Sequence, residues 1–340
     1  MKIAFFDSKP YDITSFEKYQ SEDLEFKFYE TKLNIDTVSL AKGSEAICLF
    51  VNDTCNKEVI DKLVEYGIKL IVLRCAGYNN IDLSYCYGKI HVMHVPAYSP
   101  YAISEHAMAL LLTSVRRIHK AYNRVKEYNF SLNDLIGFDL HGKTVGVIGT
   151  GKIGRCFIDI CKGFGMNILA YDPYPNGEYN YTDLNTLFKE SDIISLHCPL
   201  TKDTYHLIDR ESIDKMKKGV IIINTSRGAL IDSSDLLEGI KSRKIGAACL
   251  DVYEEEADIF YHDYSNHILD DDLLARLISM PNVIITSHQA YLTNEALDNI
   301  AETTISNIRD FIKGNISNNE LCYNCSKIED CKKKREIKCF

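Results

Sequence analysis

Three polar groups fall just beyond apolar runs in this chain, and their types suit proton transfer beside an anion. Arg227 follows the run in "VIIINTSRGALID", and His288 follows that in "NVIITSHQAYLT". Asp251 and then Glu254, Glu255 and Glu256 lie in "LDVYEEEADIF". An arginine fork can grip a carboxylate through two parallel hydrogen bonds. An imidazole gives or takes a proton near neutral pH, and a carboxylate bonded to it fixes its tautomer. Taken singly, each has an ordinary explanation: a structural histidine, a surface ion pair, a solvated acidic face. Their shared position after strand-like runs is what makes them candidates, because ligands gather at the carboxyl ends of strands in open α/β sheets.

The elements that would position them are legible as a pattern. "KIAFFD", "AICLFV", "KLIVLR", "DIISLH", "VIIIN", "AACLDV" and "NVIITS" read as strands, separated by helical segments such as "NKEVIDKLVEYG" and "SSDLLEGIKSRK". Ile- and Val-rich runs alternating with helices predict an α/β fold of two doubly wound parallel sheets, covered on both faces. Apolar spacing predicts one long helix from Ala102 to about Lys126, and a second from about Asn294 to Lys313 stopped by Gly314. Each adjoins a change of sheet. The expected division is therefore a discontinuous substrate domain, residues 1–100 plus 294–340, and a Rossmann domain over 101–293.

The stretch "VGVIGTGKIGRCFIDICKGFGMNILAYD" supplies the best-defined binding motif. Gly149, Gly151 and Gly154 form G-x-G-x-x-G between a strand and a helix, and a second strand ends at Asp172, 18 residues past Gly154. Gly149 would permit the tight turn, Gly151 the approach of a pyrophosphate to the helix N-terminus, and Gly154 close helix–sheet packing. Asp172 would accept hydrogen bonds from a ribose. The following "PYPNG" has no cation for a 2′-phosphate, so NAD is expected rather than NADP.

Composition narrows the class. A net charge of -9 argues against a nucleic-acid partner, which needs a basic surface. No apolar run approaches the roughly 18 residues of a membrane span, and the apolar start "IAFF" is too short for an export signal. A soluble, cytoplasmic protein is expected. Of 12 cysteines, eight are scattered through strand and helix patterns and read as small buried thiols.

"RCAGYNNID" and "VPAYSPYAISEHA", together with "NTSRG", "DVYEEE" and "SHQAYLT", occur in an order and context that resemble the D-specific 2-hydroxyacid dehydrogenase family, and within it the D-lactate dehydrogenase branch. The resemblance covers about residues 1–315. It implies two Rossmann-like domains with a cleft between them, a homodimer, and NAD-dependent reduction of a small 2-oxo acid. It further implies that Arg227 binds the substrate carboxylate, that His288 protonates the carbonyl oxygen, and that Glu256, the last acid of "DVYExE", pairs with His288. Backbone amides of Ala76, Gly77 and Tyr78 would bind the carboxylate, and Tyr98 would close over the substrate. Phe50 aligns with a bulky aromatic that narrows the pocket, which implies pyruvate over larger 2-oxo acids. Lys152, Ile153, Asp172, Cys198, Pro199, Thr204, Thr225, Ser226 and Asp251 match the family's NAD contacts. The long insertion from Asp258 to Asn282 fits the lactate branch. Dehydrogenation of larger 2-hydroxy acids is the competing enzymatic reading; an NAD-responsive, corepressor-like binding protein is the competing non-enzymatic one.

The family pattern leaves the end of the chain unexplained. Cys322, Cys325, Cys331 and Cys339 are spaced C-x2-C-x5-C-x7-C, which could hold zinc or a small iron–sulfur cluster. The second pair does not have a ribbon spacing, so a reduced, lysine-rich tail is the favoured expectation.

Overall fold

Runs of Ile, Val and Leu with no polar face can lie only inside a sheet covered on both sides, and that is where they lie. The computed structural model describes residues 1–177, 179–315 and 317–323, the side chain of Asp258 excepted. The chain falls into two compact units. One comprises Met1–Ser99 and the residues from Thr293 onward; the other is Pro100–Leu292.

The first unit holds β1 (Lys2–Phe5), β2 (Glu25–Phe28), β3 (Ala46–Leu49), β4 (Leu70–Leu73) and β5 (His91–Met93). The second holds β6 (Thr144–Ile148), β7 (Asn167–Tyr171), β8 (Ile193–Leu196), β9 (Val220–Asn224), β10 (Ile245–Leu250) and β11 (Val283–Ile285). A two-residue β12 (Glu320–Leu321) returns to the first unit. The sheet orders are β12-β5-β4-β3-β1-β2 and β11-β10-β9-β8-β6-β7. All pairs are parallel except β12 on β5.

In the first unit Phe5, Phe16 and Phe26 meet edge to face, with the Phe5 and Phe16 ring centres 4.9 Å apart, under Ala301, Ile305 and Ile308 of the helix Asn294–Lys313. Thr293 caps that helix by accepting the Ala296 N–H, and Gly314 ends it at φ +67°, a conformation in which glycine has no Cβ penalty. In the second unit the helix Pro100–Val115 covers one face through Ala107, Met108 and Leu111, packed with Val145, Val147 and Phe157.

The single helix expected over 102–126 is two. The first ends at Val115 and the second runs Ile118–Lys126, with Arg117 between them in the left-handed region at φ +54°. Helical spacing continues across the break, which is why the pattern hides it. The second helix buries none of its residues: Ile118, Tyr122 and Val125 are exposed. Edge strand β2 and the three-residue β5 were not foreseen, since "EFKF" is half polar and "HVM" is short. Cys48, Cys55, Cys75, Cys86, Cys161, Cys198 and Cys249 are buried free thiols, as expected, and Cys156 is half-buried. Of the tail cysteines only Cys322 is within the described residues, with a free thiol; Cys325, Cys331 and Cys339 lie outside them. Among the described residues no helix is long and apolar enough to cross a membrane.

Candidate active site

Strands β9, β10 and β11 are neighbours, so the segments after their carboxyl ends emerge side by side. These carry Arg227, the 251–256 acids and His288. His288 sits three residues past β11 at φ +54°. A non-glycine residue persists there only where its surroundings over-determine it. Here the determinant is Asp251. Its backbone carbonyl accepts the His288 N–H at 2.7 Å. Its carboxylate, fully buried, accepts the N–H groups of Gln289 (2.9 Å) and Ala290 (2.8 Å) and the Thr286 hydroxyl. His106 Nε2 lies 3.4 Å from the same carboxylate and 3.1 Å from the Thr286 hydroxyl. Asp251, expected on the cofactor side, thus has both carboxylate oxygens engaged by the turn that presents His288.

His288 Nδ1 lies 2.6 Å from Glu256 Oε1, and Glu256 Oε2 accepts the Tyr253 N–H at 2.8 Å. A carboxylate at Nδ1 places the proton there and leaves Nε2 as the working nitrogen. No described protein group bonds Nε2. The Tyr261 ring lies nearly parallel to the imidazole at 6.3 Å, and its hydroxyl donates to the His288 carbonyl. Of the two other glutamates, Glu255 is exposed and Glu254 bonds a second histidine, His206, at 2.6 Å.

Arg227 leads into a single 3₁₀ turn, Gly228–Leu230. Its Nη1 donates to the Ser226 carbonyl at 2.7 Å, and Asn224 Nδ2 donates to the Arg227 carbonyl at 2.8 Å. A Cβ on Gly228 would stand 2.1 Å from the Tyr253 backbone. Only glycine lets the Arg227 turn and the acidic segment approach so closely.

The glycine turn has the shape a dinucleotide requires. Gly149 is at φ +96°, and a Cβ there would meet the His197–Cys198 backbone at 2.6 Å. A Cβ on Gly154 would stand 2.0 Å from the Gly149 carbonyl oxygen, whereas one on Gly151 would meet nothing. The helix Lys152–Gly163 that begins here has no side-chain cap and no acid in its first turn, so its N-terminal N–H groups and positive dipole end are left for an anion. Asp172 accepts the Thr150 N–H at 2.7 Å and the Tyr174 N–H at 2.9 Å. The Thr225 hydroxyl is buried and has no hydrogen-bond partner among the described residues. The glycine cradle, the uncapped helix and this orphaned hydroxyl fit NAD. Ser226 Oγ donates to the Cys198 carbonyl, and burial pushes the Cys198 thiol up to about 11, which keeps it uncharged. Thr204 donates its hydroxyl to the Pro199 carbonyl at 2.7 Å, closing a local turn. Burial lowers His197 to about 3, so it stays neutral. Gly154→Ala is expected to lower Tm by several degrees, since backbone must move to admit the methyl. Gly151→Ala is expected to leave Tm unchanged but weaken NADH binding, read by thermal melts and fluorescence titration; equal Tm losses would sink this division of roles.

In the first unit, the remaining expected residues follow the carboxyl ends of β3, β4 and β5, again adjacent strands. The Phe50 ring is buried against the Arg74 guanidinium, 4.7 Å away, with Phe5 on that cation at 4.6 Å. Asp53 accepts the Phe50 and Leu33 N–H groups, each at 2.6 Å, and burial pushes its carboxyl up to about 6. Among the described residues the N–H groups of Ala76, Gly77 and Tyr78 meet no protein acceptor. The Tyr78 ring stands edge-on to His94, and Tyr98 is half-buried. Sequence reasoning missed His106, His206 and Tyr261. Nothing in their local spacing marks them; only the fold brings them to the site.

A parallel α/β sheet with a dinucleotide cradle at one strand end and a histidine–carboxylate pair at others defines an NAD-dependent oxidoreductase. A family model described as the NAD binding domain of D-isomer specific 2-hydroxyacid dehydrogenases matches residues 108–290. The chain belongs to that family. It is 48% identical to the D-lactate dehydrogenase of Escherichia coli, covering 94% of this chain and 100% of that one. The apo structure of the Escherichia coli enzyme superposes with a TM-score of 0.87, at 46% identity, over 94% of this chain and 100% of the other. The Aquifex aeolicus D-lactate dehydrogenase complexed with NAD and lactic acid does so at 0.80, with 37% identity, over 92% and 96%.

Proposed function

We propose that this protein reduces pyruvate to D-lactate with NADH, reversibly, and that the His288–Glu256 pair moves the proton. The observation that carries the reading is the 2.6 Å contact at Nδ1 beside an unengaged Nε2. Bound NADH supplies the hydride that reaches the carbonyl carbon. Arg227 grips the substrate carboxylate and draws charge toward the carbonyl, and His288 Nε2–H gives its proton to the carbonyl oxygen as the alkoxide forms. Glu256 accepts from Nδ1–H, which orients the ring, and its charge stabilises the imidazolium that donates from Nε2. Asp251 fixes the turn that presents the ring. In reverse, neutral Nε2 takes the hydroxyl proton of D-lactate. By family resemblance alone, the N–H groups of Ala76, Gly77 and Tyr78 are further carboxylate donors and Phe50 is the residue that limits side-chain size.

The test is NADH oxidation with pyruvate, 2-oxoisocaproate, phenylpyruvate and phosphohydroxypyruvate. Pyruvate is expected to have the highest kcat/KM, and Phe50→Leu to shift preference toward 2-oxoisocaproate by about tenfold, the scale of one to two methylenes in a pocket. A wild-type preference for 2-oxoisocaproate would overturn the assignment of substrate while leaving the chemistry. NADH binding without turnover of any acid would instead favour a binding protein.

A homodimer forms part of the same proposal. Ile118, Tyr122, Val125, Phe130, Leu132 (80% exposed) and Ile136 (90% exposed) are large apolar side chains exposed within residues 118–136 of the second unit, which suits burial against a second copy of the chain. Light scattering is expected to give twice the chain mass, and Leu132→Glu with Ile136→Glu to halve it; a wild-type monomer would refute this.

A further inference from the structure

His206 lies outside the reacting groups, yet it joins the two segments that carry them. It sits after β8 at φ +50°, and its N–H donates to the Ala229 carbonyl at 2.9 Å. Two residues on, Ile208 N–H donates to the Leu230 carbonyl, and Asp232 N–H donates back to the Ile208 carbonyl. This segment therefore runs along the turn Gly228–Leu230, next to Arg227. The His206 imidazole stacks on Tyr205 at 3.9 Å and 18°. Its Nε2 lies 2.6 Å from Glu254 Oε1, and its Nδ1 3.4 Å from Asp232 Oδ2. Glu254 stands two residues before Glu256. His206 is thus backbone-bonded to the Arg227 turn and side-chain-bonded to the acidic segment, across the contact where Gly228 admits no side chain.

We propose that His206 is a positioning residue, a latch that sets the spacing between the Arg227 guanidinium and the His288–Glu256 pair. This rests on the reading that Arg227 holds the substrate carboxylate. The latch touches neither substrate nor cofactor, so its loss acts through the fraction of molecules whose Arg227 turn is in place. Apparent affinity falls in proportion to that fraction, while saturating substrate restores the competent form. The signature is a rise in KM for the 2-oxo acid larger than the fall in kcat.

The experiment compares wild type, H206A, H206Q, E254Q, R227K and the double variant H206A·R227K in the full-length protein, with pyruvate and NADH. H206A is expected to raise KM for pyruvate about tenfold, lower kcat by less than about threefold, and leave NADH affinity unchanged, and E254Q, whose amide oxygen can still accept from Nε2–H, to raise KM by less than H206A. H206Q is expected to recover most of the loss, because its amide nitrogen reaches toward Glu254 much as imidazole Nε2 does. The double variant is expected to show the KM of R227K alone, since a latch has nothing to add once the fork is lost. An unchanged KM in H206A, or H206Q as impaired as H206A, overturns the latch while R227K still supports the Arg227 reading. Additive losses in the double variant overturn it too. A normal KM in R227K overturns the Arg227 reading and the latch with it. Thermal melts of each variant confirm that folded proteins are compared.

Discussion

His288→Ala is expected to lower kcat for pyruvate reduction by about three to four orders of magnitude, with NADH affinity within about twofold of wild type. General acid catalysis by a positioned side chain is worth about 10²–10⁴ in rate. The upper part of that range applies because removing the ring also removes the charge that Glu256 is arranged to offset. The turn itself should survive. The Asp251 clamp on residues 286–290 runs through backbone N–H groups and the Thr286 hydroxyl, none of which needs the imidazole. The glycine cradle is likewise untouched. Glu256→Gln should fall between, with a loss of about 10²: the amide that replaces the carboxylate can still bond Nδ1 but no longer carries the balancing charge. Single-turnover kinetics in stopped flow separate the chemical step from product release. A His288→Ala enzyme retaining more than a tenth of wild-type kcat would show that the proton comes from elsewhere.

How much of this was readable beforehand depends on the range of the interaction. The G-x-G-x-x-G turn is local: a Cβ on Gly154 would meet the Gly149 carbonyl, whereas the space beside Gly151 is open. The apolar strands are local too. The long helix was misjudged because periodicity records which side chains share a face and not whether anything covers it. Ile118, Tyr122 and Val125 keep helical spacing beyond Arg117 yet remain exposed. Three consecutive glutamates cannot be told apart by composition; resemblance selected Glu256, and the fold adds what no motif could, a separate histidine for Glu254. The same holds for Asp251. A buried aspartate at a strand end reads equally well as a ligand or as a brace, and only the bonds to Thr286, Gln289 and Ala290 reveal the brace.

Arg227→Gln is expected to lower kcat/KM for pyruvate by about 30- to 5,000-fold, the range that follows from about 2–5 kcal/mol for truncating one partner of a desolvated charge pair. The loss should divide between the two constants. KM rises because the carboxylate loses its bidentate grip, and kcat falls because the cation beside the carbonyl no longer favours the developing alkoxide. Arg227→Lys tests geometry apart from charge. An ammonium keeps the charge but not the planar fork, so it should recover at most about a tenth of wild-type efficiency. The structure supports this asymmetry. One guanidinium nitrogen already donates to the Ser226 carbonyl, which orients the plane of the fork before any substrate arrives, and a lysine has no such plane to orient. A neutral analogue separates the roles further. Methylglyoxal presents the same reacting carbonyl without a carboxylate, so wild type should prefer pyruvate strongly and Arg227→Gln should nearly abolish that preference. If the variant instead loses activity toward both compounds equally, the arginine acts on the carbonyl or on the fold of the turn, and the carboxylate must be held by other groups.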